Sequence, residues 1–245
     1  MVRLASLAMF LATWWIGALF AGERLLPDPL TVLDAIIGEA RSGALWFHLG
    51  ATLARVLLAF TLAMALGTAL GLAMGRSRLT DRLADPWVLV LLNLPALVVI
   101  VLAYIWAGLT EAAAIAAVAV NKLPNTAVTV REGARALDPG LDEMAQAFRM
   151  PRWKTFRHVV LPQLAPYLAA SARSGLSLVW KIVLVVELLG RPNGVGFQIG
   201  IAFQLFDVTR ILAYALSFTA IVLAIETVLV QPFERRASRW RLRPA

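Results

Sequence analysis

Asp142-Glu143-Met144-Ala145-Gln146-Ala147-Phe148-Arg149-Met150-Pro151-Arg152-Trp153-Lys154-Thr155-Phe156-Arg157-His158-Val159-Val160-Leu161-Pro162 is the stretch on which the reading of this chain turns. It is a basic, amphipathic loop set between long apolar segments. Met144, Ala147, Phe148, Met150 and Trp153 bring apolar surface into otherwise charged sequence. Such a set predicts an interaction surface, because apolar side chains gain free energy when a partner covers them.

The flanks decide what kind of molecule carries this loop. Hydrophobic residues make up 60% of the 245 and charged residues 16%, with a mean hydropathy of +0.76. Soluble domains carry about 25% charged residues, so this composition is that of an all-α polytopic membrane protein. A spanning helix needs about 20 apolar residues to cross about 30 Å of hydrocarbon. Six segments are expected to do so: residues 1–21, 51–75, 86–109, 110–124, 164–189 and 211–230. The first also resembles a signal peptide. Its apolar run is long, and Leu19 and Ala21 fit a small-residue cleavage site poorly, so a retained helix is expected. The fourth is nearly all Ala and Val from Ala112 to Val120 and stops at Asn121-Lys122-Leu123-Pro124. It is expected to be buried among other helices and kinked at Pro124. One membrane domain covers residues 1–245, with 142–157 as a cytoplasmic loop and 231–245 as a basic cytoplasmic tail.

Arginine and lysine placement orients the spans. Arg76, Arg78 and Arg82 follow the second, and Arg131, Arg135, Arg149, Arg152, Lys154 and Arg157 follow the fourth. The net charge is +8, and five arginines lie in the tail from Glu234 to Arg243. Beside a membrane span such a tail reads as contact with lipid headgroups rather than nucleic acid. The opposite loops hold only Arg24, Arg41 and Arg191 away from span ends. Both termini and the 142–162 loop are therefore expected in the cytoplasm.

On the other side, Leu26-Pro27-Asp28-Pro29 is an extended entry. Thr31 or Asp34 is expected to cap a short helix running to Ala40, whose apolar face of Val32, Ala35, Ile36 and Ala40 suits the membrane interface. Gly190 to Gly196 is a turn-rich loop.

Within the spans, Ala59, Ala63, Gly67, Gly71 and Gly75 recur every four residues and lay a small-residue groove along one helix face. Such grooves let helices approach closely in lipid, within a subunit or between subunits. Arg173, Ser177 and Lys181 share one face of the fifth span, and Glu187 is turned away from them. Intramembrane charges pair or face water. Lys181 either lines a translocation path that attracts an anion or pairs with a group such as Glu226, while Arg173 can snorkel to the edge. Asn93-Leu94-Pro95 opens the third span, either as a plain kink or beside the path.

Enzyme chemistry finds no footing. There is no cysteine, which excludes disulfides and thiolate metal sites, and His48 and His158 are the only histidines. No metal-ligand cluster, nucleophile–base pair or phosphate-binding Gly-x-x-x-x-Gly-Lys-Ser/Thr loop occurs. A chain of this kind holds no cofactor, and uphill transport requires energy from another subunit.

The 142–162 spacing resembles the cytoplasmic signature loop of ATP-binding-cassette importer permeases: Glu-Ala-Ala, three residues, Gly, nine residues, an aliphatic, any residue, Leu-Pro. Glu143-Met144-Ala145 opens it, and Val159, Leu161 and Pro162 fall at the expected spacing. Met144 stands where the pattern has Ala, and Arg149 where it has Gly. Leu164-Ala165-Pro166-Tyr167, Trp180-Lys181, Val186-Glu187-Leu188-Leu189-Gly190 and Asn193-Gly194-Val195-Gly196 followed by Asp207 look like the branch serving nitrate, sulfonate, taurine and bicarbonate importers. That branch also includes systems for vitamin precursors and aromatic acids.

The resemblance implies a type I importer permease fold of about six spans with a coupling helix, set in a bacterial inner (plasma) membrane. It implies two permease chains, here expected as a homodimer, two ATPase subunits that carry ATP and Mg, and a periplasmic or lipid-anchored solute-binding protein. Glu143, Met144, Ala145, Ala147, Phe148, Arg149, Met150, Pro151, Leu161 and Pro162 would form the coupling contact. Asn93, Pro95, Ser177, Lys181 and Glu187 are the candidates for the path. Ala63, Gly67, Gly71 and Gly75 are the candidates for close packing. The rival reading is a secondary transporter or channel driven by an ion gradient through Lys181, Glu187 and Glu226.

Overall fold

The computed structural model describes residues 2–22, 24–230 and 232, and every regular element among them is helical. The arginine-rich tail from Glu234 to Arg243 lies outside the described residues. In chain order the helices are α1 (Val2–Ala21), α2 (Pro29–Arg41), α3 (Ala44–Arg76), α4 (Arg78–Asn93), α5 (Ala96–Ala107), α6 (Glu111–Arg135), α7 (Pro139–Ala147), α8 (Arg152–Thr155), α9 (Leu161–Gly190), α10 (Val195–Gln204) and α11 (Val208–Ile225). A π-helical turn, Phe156–Val160, leads into α9, and another, Glu226–Val230, follows α11.

Local chemistry sets most boundaries. Asp28 caps α2 by accepting from the Leu30 and Thr31 amides at 2.8 and 3.1 Å, with Pro29 at the first helical position. The cap thus precedes the expected Thr31 or Asp34. Thr31 serves it instead: its hydroxyl donates to Asp28 at 2.7 Å and holds that carboxyl below the usual carboxylate range. Ser77 and Thr110 cap α4 and α6 by accepting from the Thr80 and Ala113 amides.

Two of the expected spans take a different form. Residues 86–109 are split, and α4 and α5 meet at 101° across Leu94-Pro95. Pro95 offers no amide and holds Leu94 extended, at φ −72° and ψ 128°. The fourth span does not end at Pro124, since α6 runs through it to Arg135. Twelve residues of α6 between Ala113 and Ala134 are buried, Pro124 among them. Packing on all sides outweighs the roughly 3 kcal/mol cost of an interior proline. Among the described residues, α3, α6 and the 208–228 stretch are long and apolar enough to cross a membrane, and the bent α4–α5 pair makes a fourth if taken as one span.

The chain forms two compact units. The first comprises Met1–Arg55 and Val183–Ala224, the second Val56–Ile182 and Ile225–Ala245. In the first, α1 is tied to the entry of α2 by the Trp14 indole, which donates to the Pro27 carbonyl at 3.0 Å. Tyr214 on α11 donates to Glu39 on α2 at 2.6 Å, and Arg210 pairs with the same carboxylate at 3.2 Å.

The second unit is built around α6. Ala59 and Ala63 are fully buried. The glycines that follow them on α3 lie against α6 so closely that side chains there would collide. A Cβ at Gly67 would sit 2.6 Å from Thr126 Cβ, one at Gly71 2.9 Å from Val130 Cβ, and one at Gly75 2.9 Å from the Arg131 carbonyl. The small-residue groove is thus filled from within the chain. On α6, Gly133 receives the ring of Tyr167 from α9. A cluster of Ala134, Val160 and Leu164, with Leu72, Phe156 and Leu168 around it, seats the start of α9.

Candidate functional site

Helices α7 and α8 form the segment read first. Asp138 caps α7 by accepting from Gly140 N at 2.8 Å, and its own amide donates to Gln163 on α9 at 2.9 Å. The far end closes with a Schellman turn: Met150 N donates to Ala145 O and Arg149 N to Gln146 O, both at 2.9 Å. This turn requires a left-handed residue, and Arg149 supplies it at φ 49°. That geometry explains why glycine suits the position.

Ala145, Val159 and Val160 are buried and anchor the segment, whereas Phe148 is 77% and Trp153 67% exposed. Glu143, Met144, Ala147, Arg149, Pro151, Leu161 and Pro162 are also exposed, and Met150 is half-buried. Trp153 stacks on Phe156 with ring centroids 5.9 Å apart. Arg76 at the end of α3 reaches Asp142 at 3.6 Å, an exposed pair that adds little stability. The whole is a firmly seated scaffold presenting apolar side chains outward.

On α9, Arg173, Ser177 and Lys181 are exposed along one face. The helix has 30 residues, so it is about 45 Å long. Lys181 makes no ion pair with Glu226 or any other acid among the described residues. Asn93, at the α4–α5 break, is exposed and returns its amide to Leu89 O at 2.8 Å, and Pro95 is exposed beside it.

Glu187 stands apart from that face. Its side chain is 0% exposed and pairs with Arg55 on α3 at 2.7 Å. Thr52 and the Gly196 amide each donate to its second oxygen at 2.9 Å. Arg55 in turn donates to the Asn193 carbonyl at 2.9 Å and to the Asn193 side-chain oxygen. The 193–196 loop therefore wraps the carboxylate. Gly194, at φ 114°, and Gly196 leave the room a side chain would fill. Next to it, Gly194 N donates to His48 Nδ1 at 3.1 Å, which places the ring proton on Nε2. Nε2 lies 2.6 Å from the side-chain nitrogen of Gln198.

The reading from sequence left Arg55 without a role. Its signal was present, as the only charge in residues 51–75. Lys122 was read as the end of a span. It is instead fully buried, donating to Asn125 at 2.8 Å and Ser171 at 3.2 Å under Gly175. Among the described residues no group of acids and histidines could hold a metal.

Residues 63–236 match the binding-protein-dependent transport system inner membrane component family, whose description fits a helical chain with a broken span and an outward-facing capped loop. The chain belongs to that family: it is a multi-pass membrane protein and a permease subunit of the ATP-binding-cassette importer kind, and its relatives include permeases named for sulfonate, taurine and nitrate transport. It is 35% identical to a protein of Escherichia coli (strain K12) named as an aliphatic sulfonates transport permease, SsuC, over 89% of this chain and 82% of that one. It is 36% identical to the riboflavin transport system permease protein RibX of Chloroflexus aurantiacus, over 96% and 88%. Its fold is that of the type I permeases. The chain superposes on a crystal structure of an amino acid ABC transporter with a TM-score of 0.64 at 22% identity, covering 80% of this chain and 95% of that one. The inward-facing MetNI methionine transporter gives 0.63 at 21%, covering 76% and 92%.

Proposed function

We propose that two copies of this chain form the solute path of an ATP-driven importer and that α7–α8 is its contact with separate ATPase subunits. The observation that carries this reading is the α7–α8 scaffold, anchored by Ala145, Val159 and Val160 while Met144, Phe148 and Trp153 face outward. Contiguous exposed apolar surface of that kind marks an interaction site. In this reading α7–α8 and both termini face the cytoplasm, a solute-binding protein delivers the solute from the other side, and ATP with Mg stays on the ATPase. Closure of the ATPases moves α7–α8, and the buried seat at Val160 and Leu164 transmits the motion to α9. A cysteine placed at Ala147 should cross-link to the ATPase. Cross-linking to lipid or the solute-binding protein alone would refute the reading.

The solute proposed is a small anion such as a sulfonate, taurine, nitrate or bicarbonate. Ser177 and Lys181 support this, as an exposed polar face with an ammonium that has no acid partner among the described residues. An unpaired ammonium costs about 2.5–3.5 kcal/mol in hydrocarbon, so it belongs against water. Asn93 and Pro95 are proposed to border the same path at the α4–α5 break. Glu187 is given a supporting place, since it holds the 193–196 loop through Arg55 rather than facing open space. Lys181→Met should abolish solute uptake while the complex still assembles and hydrolyses ATP. Loss of assembly, restored by adding Glu226→Gln, would sink the path assignment. The gradient-driven alternative has no support in these relatives.

A further inference from the structure

We propose that Lys122, covered by Asn125, is an anion subsite within the solute path, taking a small oxyanion of single negative charge such as a sulfonate or nitrate. The inference rests on the anionic solute proposed above and adds the residue that recognises its charge. Lys122 lies in the buried length of α6 and is 0% exposed. Its ammonium donates to Asn125 Oδ1 at 2.8 Å and to Ser171 Oγ on α9 at 3.2 Å. Both acceptors are neutral. An ammonium has three hydrogens. Among the described residues the third meets no acceptor, and no carboxylate pairs with the charge. Arg131, further along the same helix, gives the contrast, since Asp81 and Asp85 both hold it.

A lysine that only tied α6 to α9 would have no use for its charge. Hydroxyls and amides join membrane helices without one, and Ser171 already donates to Thr126 across the same contact at 3.2 Å. An unneutralised charge buried in a membrane helix is costly, which is why such groups pair or face water. The packing is opened for this side chain: a Cβ at Gly175 would lie 1.9 Å from Lys122 Cε and 2.5 Å from Nζ. Access is short. Asn125, the cover, is exposed, and so is Ser174, one turn beyond Ser171. Asparagine suits a cover because its amide both accepts and donates. Its oxygen accepts from the ammonium here. Turned about its last bond, its nitrogen donates to an anion that takes the oxygen's place. Ser171 keeps the ammonium tethered meanwhile. A positive charge and an amide donor then converge on one oxyanion, while a cation is repelled and an uncharged solute gains no Coulomb attraction.

The test uses the permease with its ATPase in nanodiscs and exploits a chain that has no cysteine of its own. Asn125→Cys places one thiol at the cover. Its modification by a sulfonate-bearing and by a trimethylammonium-bearing methanethiosulfonate is followed by the mass of the permease chain. Each rate is divided by that of a free thiol in solution. The sulfonate reagent should be favoured about tenfold, and adding Lys122→Gln should remove the preference. Methanesulfonate should also slow the sulfonate reagent, whereas neutral methanesulfonamide at matched ionic strength should not. That comparison keeps Lys122 in place, so it decides the matter even where the Lys122→Gln chain does not fold. Equal normalised rates, a preference unchanged by Lys122→Gln, or no reaction with either reagent would overturn the proposal. Ser177→Cys, treated in the same way, separates the two readings. A preference for the sulfonate reagent at Ser177→Cys but not at Asn125→Cys leaves the anionic path standing and removes only this subsite. No preference at either position removes both.

Discussion

Replacing Arg55 with methionine tests the buried ion pair of the first unit. Arg55 and Glu187 are 6% and 0% exposed, so neither charge has water to fall back on. In Arg55→Met the carboxylate keeps two donors, Thr52 and the Gly196 amide. It loses the guanidinium that pairs with it, and the Asn193 carbonyl loses a donor. Breaking a buried pair from one side costs about 3–5 kcal/mol. That is between two and four powers of ten in the folded population. Unfolding of membrane complexes is commonly irreversible, so the suitable assay is the half-life of the folded permease at fixed temperature in lipid nanodiscs. Arg55→Met should shorten it sharply. Arg55→Met with Glu187→Met removes both charges and should recover part of the loss, leaving the Asn193 groups and the Gly196 amide unpaired at about 1 kcal/mol each. Wild-type persistence in the single variant, or equal fragility in single and double, would refute the reasoning.

Gly71→Leu should prevent accumulation of folded protein, because the new side chain meets Val130 and the α6 backbone. Overpacking costs about 1–3 kcal/mol even where side chains can yield, and normal yield in membranes would show that α3 and α6 do not approach as described. Arg149→Gly should stabilise the α7 turn by about 1 kcal/mol, as the left-handed residue loses its Cβ, and a lower thermal midpoint of the isolated permease would contradict this. Asp28→Ala should fray the start of α2 through loss of its cap, visible as weaker exchange protection at Leu30 and Thr31. Because Thr31 holds the folded Asp28 carboxyl below its ordinary value, the cap contributes above that ordinary pKa. Its contribution is lost as pH falls through the lowered one, so protection of those amides relative to their intrinsic exchange rate should fall in acid, and this fall should be absent in Asp28→Ala.

Much of the molecule was legible before any tertiary structure. The membrane class follows from composition, since few charges and long apolar runs leave no other solvent. The small-residue face of α3 and the amphipathic 142–162 loop are local periodicities, and a helix converts spacing into a shared face by its own geometry. Tertiary structure decided what those faces meet. Gly67, Gly71 and Gly75 could equally have served a second subunit, and only packing against Thr126, Val130 and Arg131 assigns them to α6. Pro124 carries the same chemistry as Pro95, yet α6 continues through the first and the chain turns by 101° at the second. The difference is burial, which a proline's own sequence does not record. Arg55 and Glu187 are 132 positions apart, and nothing local links them. Their pairing exists because folding removes both from water at one place. The sequence could show that each charge needed a partner, and only the fold could supply it.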